Sequence, residues 1–504
     1  MNVAVTAERA AAREILGHPR GLATLFFTEM WERLSYYGMR ALLVLFMTDQ
    51  IANGGMNLSD AKATAIYGIY IAAVYLVALP GGWIADRLLG AQRAILYGGI
   101  VIMCGHFILA VPSVYAFFLG LIVVVLGTGL LKPNVSAVVG ELYAPGDPRR
   151  DSGFTIFYMG INVGAFLGPF VCGTLAQSAS FGWHYGFAAA GVGMLFGVLQ
   201  FRLTRDYLGD AGRLPYSTGN PARDAAFRKK SWTIIGAVLA VLALIVALAM
   251  AGVVEFEPEQ FARRTTWAII ALSAAYFAWI FTLGGLDAAE KKRMVVIIAL
   301  YIGTAIFWAG FEQTGSSFNI FADRYTILEF GSFTILSTWF QSVNPVFIIV
   351  FAPVFAWFWV ALAKRSLNPS APFKFGIGLI LLAVGFLTMM AASEIVANGS
   401  KVLPTWLIFT YMFHTWGELA LSPVGLSATT KLAPQRFVGQ MMGVWFMGTA
   451  LGNVISGLIA GEFDPNNLQA MPGQYWKIFL TIGGAGLVFL IATRPLKKLT
   501  GGRE

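Results

Sequence analysis

One stretch decides the fold: TEMWERLSYYGMR, which runs from Thr28 to Arg40. It lies within Gly21–Thr48, a segment that is otherwise apolar and long enough for one continuous helix. A charged side chain at the centre of a bilayer costs roughly 2.5–3.5 kcal/mol on insertion scales. If this segment crosses a membrane, its charged side chains must face the interior of the protein and not the lipid. The ionisable residues concerned are Glu29, Glu32, Arg33 and Arg40.

Apolar segments of the same kind recur along the whole chain. Its 504 residues are 57% hydrophobic and 12% charged, whereas a soluble protein carries roughly 25% charged residues. Runs of about 20 apolar residues can cross roughly 30 Å of hydrocarbon. The sequence therefore predicts an all-α polytopic membrane protein with fourteen transmembrane helices. The expected spans are 22–48, 62–85, 93–112, 114–140, 154–176, 184–202, 232–252, 264–284, 294–320, 332–361, 374–396, 402–428, 437–461 and 473–493.

The basic residues predict the orientation of these spans. Most of the 35 Lys and Arg residues fall in alternate loops, on the side that also holds Arg9, Arg13 and Arg20. Because cytoplasmic loops carry the excess of Lys and Arg, both termini are expected in the cytoplasm. The net charge of +9 is then mostly loop charge and does not indicate nucleic-acid binding. Cys104 and Cys172 fall in separate spans and predict neither a disulfide nor a metal pair.

The spans divide into two groups of six. Spans 232–252 and 264–284 hold no charge apart from Arg264 at the edge of the second, and they are expected to be a lipid-facing insertion between the groups. Six plus six helices is the arrangement of the major facilitator superfamily, whose halves rock around a site at the bilayer midplane. The expected parts are a cytoplasmic N-terminal segment 1–20, an N-terminal six-helix bundle 21–202, a cytoplasmic linker with the inserted helix pair 203–293, a C-terminal six-helix bundle 294–493 and a cytoplasmic tail 494–504.

A loop motif after the second span agrees with this superfamily. GWIADRLLGAQR resembles the superfamily's cytoplasmic G-x-x-x-D-R-x-x-G-x-x-R loop. Its acid can latch onto a neighbouring helix end, while its basic residues hold the loop at the inner surface. The alternative is an ordinary positive-inside turn. The residues expected to form this cytoplasmic gate are Gly82, Asp86, Arg87, Gly90 and Arg93.

The charges of the opening stretch share one face of its helix, because their spacing follows the helical period. A polar stripe facing lipid would be prohibitive, so we expect it to face a water-filled or substrate-filled interior. The alternative is a structural ion-pair cluster, which Glu29 and Arg33 could form alone but which leaves Arg40 unexplained. The stripe comprises Glu29, Glu32, Arg33, Tyr36, Tyr37 and Arg40.

Three further spans carry ionisable residues: Lys132 before Pro133, Glu312 in FWAGFEQTGSS, and Glu418 in HTWGELALSPVGLS. A snorkelling lysine is the alternative for Lys132, and a structural role is the alternative for Glu418. The cations lie in the N-terminal half and these two acids in the C-terminal half. A cavity between the halves would suit a small zwitterion, with its carboxylate towards Arg40 and Lys132 and its ammonium towards Glu418.

Other side chains could complete such a cavity. Asn162 and Asn344 could hydrogen-bond a peptide-like backbone, and aromatic residues could line adaptable pockets. Taken one at a time, these aromatic residues fit ordinary packing better: Tyr36, Tyr37, Tyr75, Trp308 and Trp445.

Carboxylates in this setting also indicate proton coupling. Burial raises the pKa of a carboxyl group and a nearby cation lowers it. A Glu that gains and loses a basic partner can therefore take up and release a proton once per cycle. The membrane potential contributes about 2.3 kcal/mol per charge for each 100 mV.

Several stretches resemble the proton-dependent oligopeptide transporter family, a branch of the major facilitator superfamily. EMWERLSYYG is similar to the family signature ExxERFxYYG. The resemblance implies a bacterial inner-membrane, multi-pass symporter that imports di- and tripeptides, and peptide-like drugs, by alternating access. It would act as a monomer among membrane lipids, without a cofactor, driven by protons and the membrane potential. The further similar blocks, in order, are GTGLLKPNVSAVVGELY, FTIFYMGINVGAFLGP, FWAGFEQTGSS, QSVNPVFI, GELALSPVGLS and MMGVWF.

The resemblance also implies roles for single residues. Glu312 would pair with Lys132 or Arg40 in a periplasm-side gate. The residues implied in proton coupling are Glu29, Glu32, Arg33, Lys132, Glu312 and Glu418. Those implied in peptide binding are Arg40, Tyr36, Tyr37, Tyr75, Lys132, Asn162, Trp308, Asn344, Glu418, Ser422 and Trp445.

The chain departs from the family pattern at two places. Leu34 replaces the usual Phe, and Gly68 stands where animal members have a histidine implicated in proton handling, so the carboxylates must suffice here. One rival is a family member of shifted substrate, such as nitrate or a drug, although Glu312 and Glu418 oppose nitrate. Another is a membrane enzyme, for which we find no catalytic cluster, since His414 has no Ser–His–acid order around it. The third is a proton-driven drug exporter, which favours a more apolar cavity.

Overall fold

A computed structural model of the chain describes residues 14–501, except 145, 254, 366 and 368. Long helices follow one another with short connections. The first eight are α1 (Arg20–Thr48), α2 (Asp60–Ile84), α3 (Ala91–Leu109), α4 (Val114–Glu141), α5 (Arg150–Ala176), α6 (Trp183–Thr204), α7 (Pro221–Met250) and α8 (Pro258–Leu283). The others are α9 (Ala288–Phe311), α10 (Ser317–Tyr325), α11 (Val343–Lys364), α12 (Ala371–Ala397), α13 (Thr405–Leu432), α14 (Val438–Ala460), α15 (Met471–Ile491) and α16 (Thr493–Leu499).

Each of the fourteen predicted spans coincides with long helical structure, and the helical multi-pass class is confirmed. Of the residues described, twelve helical segments are long and apolar enough to cross a membrane. Helices α1 and α13 have similar lengths to these segments but carry more ionisable residues. Helix α1 carries five, and α13 carries His414, Glu418 and Lys431. Both helices carry residues of the predicted site.

Two predicted spans differ from the helices observed. The span expected at 294–320 is broken, because α9 ends at Phe311 and a 3₁₀ turn, Glu312–Gly315, joins it to α10. At this break the Ser316 hydroxyl donates to the Glu312 backbone carbonyl at 3.2 Å. The span expected at 332–361 begins late: a hairpin of Glu329–Phe330 and Phe333–Thr334 and the 3₁₀ helix Ser337–Ser342 precede α11.

The chain forms two compact units, and helices α1 and α2 contribute to both. The first unit takes in Met1–Met39 and Leu76–Glu257, and the second takes in Arg40–Tyr75 and Pro258–Glu504. This division follows packing, so the boundaries predicted from the sequence stay predictions.

The first unit is built on close helix crossings. Helix α1 lies against α5 at Gly160, Gly164 and Gly168, where an added Cβ would meet the backbone of α1 within 3.0 Å. Small residues let helix backbones approach closely enough for this. The apolar core of the unit comprises Leu22, Leu25, Ile95, Ile102, Leu131, Val135, Val138, Val139, Phe157, Met194, Phe201 and Leu208.

The N-terminal segment predicted at 1–20 is described only from residue 14. Glu14–Ile15 pairs with His18–Pro19 in a small antiparallel hairpin. Arg149 Nη1 lies 2.9 Å from Glu14 Oε1, and His18 Nδ1 is hydrogen-bonded to the Tyr143 hydroxyl at 2.9 Å. The hairpin is therefore fastened to the connection between α4 and α5. Residues 1–13 of the predicted segment lie outside the described residues.

The two inserted helices, α7 and α8, differ in burial. None of the apolar part of α7 is buried, as expected for a lipid-facing helix. Helix α8, in contrast, buries one face against α9 and α14 in the second unit. Ser273 Oγ is hydrogen-bonded to the Tyr301 hydroxyl at 2.7 Å, and the Tyr276 hydroxyl donates to Gln440 Oε1 at 2.7 Å. The expectation that both helices simply face lipid is wrong for this face of α8.

Candidate functional site

The first half of α1 holds a buried group of ionisable residues in the first unit. We call it the Arg33 cluster: Glu29, Glu32 and Arg33. Arg33 Nε lies 3.1 Å from Glu29 Oε1 and also bonds Glu32 Oε2. All three residues are at most 4% exposed. Two buried carboxylates therefore share one guanidinium.

Some atoms of the Arg33 cluster remain available for a further partner. Glu29 Oε2, Glu32 Oε1 and Arg33 Nη2 have no hydrogen-bond partner among the described residues. The guanidinium also lies over the ring of Tyr36 at 5.1 Å and that of Tyr37 at 5.9 Å, which are favourable cation–π distances. The predicted stripe is thus interior, and its aromatic members contact its cation.

Two other predicted residues of the first unit lie on neighbouring helices. Lys132 is half-buried in α4, immediately before Pro133, and its charge acts on Glu29. Asn162 is buried in α5, and its side-chain amide donates to the Tyr158 carbonyl of the same helix at 2.9 Å.

A second buried group surrounds Arg40, which lies in the second half of α1 and in the second unit. We call it the Arg40 cluster: Arg40, Tyr67, Glu312 and Thr314. Arg40 Nη2 donates to Glu312 Oε2 at 2.7 Å and to Thr314 Oγ1 at 3.4 Å. Arg40 Nε donates to the Tyr67 hydroxyl at 2.6 Å, and that hydroxyl donates to Glu312 Oε2 at 3.1 Å. Of the two partners expected for Glu312, the structure places Arg40 beside it.

The break after α9 creates this arrangement. Glu312 is the first residue of the 3₁₀ turn, so its side chain leaves the regular path of the helix. Gly315 makes room for Tyr67, because a Cβ at Gly315 would overlap the Tyr67 hydroxyl and lie 3.1 Å from Arg40 Nη2. The Thr314 carbonyl in turn accepts hydrogen bonds from the Gln341 amide and the Tyr411 hydroxyl. Helices α1, α2 and α13 and the 3₁₀ helix before α11 therefore meet at this turn.

Glu418 is held by a separate amide in the second unit. Asn344 Nδ2 donates to Glu418 Oε2 at 3.0 Å and to Thr415 Oγ1 at 2.9 Å. Glu418 itself is partly exposed, so one side of its carboxylate can meet a ligand. Ser422 lies one turn further along α13 and is half-buried.

The predicted pocket aromatics have unequal surroundings. Trp445 is buried against Gly425 and Phe375, which is ordinary core packing. Trp308 is only half-buried, and its Nε1 has no hydrogen-bond partner among the residues described. Tyr75 is half-buried and lies 6.4 Å from the ring of Phe446. The Trp308 indole N–H could therefore donate a hydrogen bond to a ligand, whereas Trp445 is part of the packed core.

Comparison with known proteins agrees with this picture. A model of the POT family, PTR2, matches residues 92–475. The chain belongs to the POT family. It is 42% identical to the peptide transporter YePEPT of Yersinia enterocolitica, over 97% of this chain and 96% of that protein. It is 37% identical to a di-/tripeptide transporter of Lactococcus lactis, over 97% and 98%.

Solved POT structures share the fold. A crystal structure of a peptide transporter POT mutant in complex with alafosfalin has a TM-score of 0.87 and 42% sequence identity, with 97% of each chain covered. At this similarity, the arrangement of two six-helix bundles with an inserted helix pair, as in the major facilitator superfamily, is confirmed for this chain.

The position where animal members of the family have a histidine is a point of close packing here. Gly68 lies in the second unit at the crossing of α2 and α14. An added Cβ would be 2.8 Å from the Asn453 carbonyl and 3.0 Å from Gly457 Cα. Because both atoms belong to backbone, no side chain fits at residue 68 unless the two helices separate.

The predicted gate motif lies at the end of α2 in the first unit. Asp86 and Arg87 are in a single π-helical turn, Ala85–Leu89, and Gly90 has a φ of +81°. The Asp86 carbonyl accepts from the Tyr216 amide at 2.7 Å, and the Arg87 guanidinium lies 4.6 Å from the Tyr216 ring. Arg93 is exposed in the first turn of α3. A Cβ added at Gly82 would lie 3.7 Å from the Pro133 side chain, which is ordinary van der Waals contact.

The partner of this motif was not anticipated from the sequence. Residues 205–216, expected to be part of a polar linker, fold back against it. Gln92 Nε2 donates to the Gly209 carbonyl at 3.0 Å and to the Ala211 carbonyl at 2.8 Å. The Glu141 side chain accepts from the Gly212 amide at 2.6 Å. Polar loop composition alone contains no signal for such docking.

Sequence reasoning also missed Tyr67, Thr314 and an ion pair. Arg324 donates to Asp60 with both Nη atoms, at 2.7 and 2.8 Å, within the second unit. Tyr67 is one of many tyrosines in the spans, and only the packing of α2 against the broken α9 identifies it as a partner of Arg40.

Proposed function

We propose that this chain is a proton-coupled symporter that imports di- and tripeptides, and peptide-like drugs, by alternating access. We place it in the bacterial inner membrane with both termini in the cytoplasm. It would work as a monomer, as a transporter and not an enzyme, without a cofactor. The observation that carries this proposal is the sharing of Arg33 by Glu29 and Glu32.

The Arg33 cluster supports a proton site by its charge. Two carboxylates share one guanidinium, so the second negative charge must be balanced by Lys132, whose charge acts on Glu29, or by a proton. One oxygen of each carboxylate has no hydrogen-bond partner among the described residues, so protonation would not break the bonds to Arg33. A buried excess charge is costly, so the free energy of the cluster depends strongly on that proton. Lys132 would tune this balance through its charge.

The Arg40 cluster supports a link between substrate and gate. Glu312 holds the Arg40 guanidinium at 2.7 Å. A peptide carboxylate that binds Arg40 must therefore displace Glu312, or bind after Glu312 is protonated. Either event would release the hydrogen bonds that join α1 to the turn after α9. Binding, protonation and gate opening would then be coupled through one guanidinium.

Glu418 supports recognition of the peptide ammonium. Asn344 uses its one amide to orient the Glu418 carboxylate, which is partly exposed. A carboxylate held in this way is suited to a small cation, and Trp308 of the same unit could add a donor for the peptide backbone. The same acid opposes nitrate as the substrate, since it would repel an anion.

The direct test is uptake of labelled dialanine into proteoliposomes under an inward proton gradient. We expect concentrative uptake by the native protein. Glu32→Gln should abolish it while gradient-free exchange of dialanine continues, because binding survives and coupling is lost. Glu394→Gln is the matched control, since Glu394 is exposed near the end of α12.

Loss of exchange and uptake together in Glu32→Gln would contradict a role confined to coupling. Failure of the folded native protein to take up several di- and tripeptides would overturn the peptide assignment. Nitrate and peptide-like drugs would then be tested in the same vesicles.

A further inference from the structure

A basic cavity lies in the first unit beside the gate motif, and none of the residues proposed for peptide binding or proton coupling lines it. Its volume is about 300 Å³. It opens between the gate motif, the segment after α6 and the first turns of α7. The cavity is lined by Arg87, Tyr216, Thr218, Arg223, Asp224, Phe227 and Arg228.

The charges of this cavity are unbalanced. Three guanidiniums line it together with one carboxylate, and that carboxylate is already bound. Asp224 accepts from the Ser217 hydroxyl at 2.6 Å, and from the amide and the hydroxyl of Thr218 at 3.2 and 2.6 Å. Among the described residues, Arg87, Arg223 and Arg228 form no ion pair within 4.0 Å.

The backbone amides at the start of α7 do not supply the binding site. The Asn220 side chain already accepts from the amides of Ala222 and Arg223, at 3.1 and 3.2 Å. The hydrogen-bond donors available to a ligand in the cavity are therefore the guanidiniums of Arg87, Arg223 and Arg228. This geometry matches the oxygens of a phosphate group.

The surroundings of the cavity favour a lipid over a soluble phosphate. Trp83 and Phe227 are 42% and 44% exposed, and their rings contact each other at 6.1 Å beside it. Helix α7 continues from this point as an apolar helix with no buried residue in its apolar part. A ligand with an anionic head and an apolar tail could place its head among the arginines and its tail along α7. Aromatic and arginine side chains are typical of the level of lipid headgroups.

We propose that this cavity binds the phosphate group of an anionic phospholipid. The lipid would join the gate motif, through Arg87, to the inserted helix, through Arg223 and Arg228. The inserted helix α7 would then serve as one wall of a lipid site. This lipid site is separate from the residues proposed to bind the peptide.

Native mass spectrometry of the full-length protein in detergent can measure this binding. The probe is phosphatidylglycerol, with phosphatidylcholine as the zwitterionic lipid. We expect Arg223→Gln/Arg228→Gln to weaken phosphatidylglycerol binding by roughly fivefold for each arginine, about twenty-fivefold for the pair. The matched control is Lys229→Gln/Lys230→Gln, which removes the same charge from exposed positions of the same helix that do not line the cavity. Thermal unfolding checks that each variant is folded.

Equal weakening by both double variants, or equal binding of the two lipids by the native protein, would overturn the proposal. Inorganic phosphate and glycerophosphoglycerol form the second arm. If either displaces phosphatidylglycerol at similar concentrations, the phosphate site stands but the lipid as its source is overturned.

Discussion

Arg40 and Glu312 are 272 positions apart in the sequence, yet Arg40 Nη2 lies 2.7 Å from Glu312 Oε2. Their side chains are 7% and 4% exposed, and the Tyr67 hydroxyl bonds both. A charge buried to this extent is tolerated because its opposite lies beside it. The ion pair therefore fastens α1 to the 3₁₀ turn that follows α9.

Removing one member of this pair is expected to cost more than removing both. Glu312→Ala leaves the Arg40 guanidinium buried without its carboxylate, which should lower the free energy of unfolding by about 3–5 kcal/mol. Arg40→Met/Glu312→Ala removes both charges and should recover part of that loss. Thermal unfolding in detergent can rank the variants, with Glu394→Ala as the exposed control. Strictly additive effects of the two substitutions would contradict the coupling.

Gly315→Ala is expected to disrupt the same cluster without changing a charge. The added methyl would overlap the Tyr67 hydroxyl, so Tyr67 must leave Arg40 and Glu312. We expect a stability loss of about 1–3 kcal/mol, with reduced dialanine uptake. Gly484→Ala, in α15, is the control, because nothing lies within 4 Å of its added Cβ. If Gly315→Ala matched this control in both assays, Tyr67 would not depend on the space at residue 315.

Gly68→Ala tests the close crossing of α2 and α14. Its methyl would lie 2.8 Å from the Asn453 carbonyl, and backbone atoms cannot rotate away as side chains can. We expect a loss of about 1–3 kcal/mol in stability, and a greater loss for Gly68→His. Gly236→Ala, in exposed α7, should be neutral because it has free space. A neutral Gly68→His would show that the helices separate at little cost.

The start of α9 gives a pH-dependent prediction outside the membrane. The Asp287 side chain accepts from the Glu290 amide at 2.6 Å, which holds the pKa of the Asp287 carboxyl below its ordinary value of 3.8. A carboxyl with a lowered pKa stabilises the fold fully above its unfolded value, and this contribution is lost as pH falls through its folded value. Asp287→Ala should therefore lower the unfolding temperature at neutral pH by about 2 °C.

The pH at which the difference in unfolding temperature disappears identifies the ionisable group that causes it. The gap between the native protein and Asp287→Ala should stay constant from pH 7 to about pH 5 and close only below the ordinary pKa of Asp. Asp287→Asn should keep most of the stability, since its amide oxygen can still cap the helix. A gap that closed near neutral pH would assign the effect to another group.

Local patterns were sufficient for the helices and for the character of the site. Apolar runs predicted the spans because a bilayer requires satisfied backbone hydrogen bonds over a defined length. The spacing of Glu29, Arg33 and Arg40 predicted one polar face on α1, since the helical period is the same everywhere. Those residues are buried, as a stripe turned away from lipid must be.

Partners and breaks depended on contacts between distant parts of the chain. The sequence left Glu312 with either Lys132 or Arg40, and it contained no sign of Tyr67, of the Asp60–Arg324 pair or of the docking of residues 205–216. It also treated 294–320 as one unbroken span. Spacing determines which face of a helix a residue occupies, because that is local geometry. Which face meets which neighbour is decided by packing between helices, where a single glycine such as Gly315 or Gly68 sets the distance of approach.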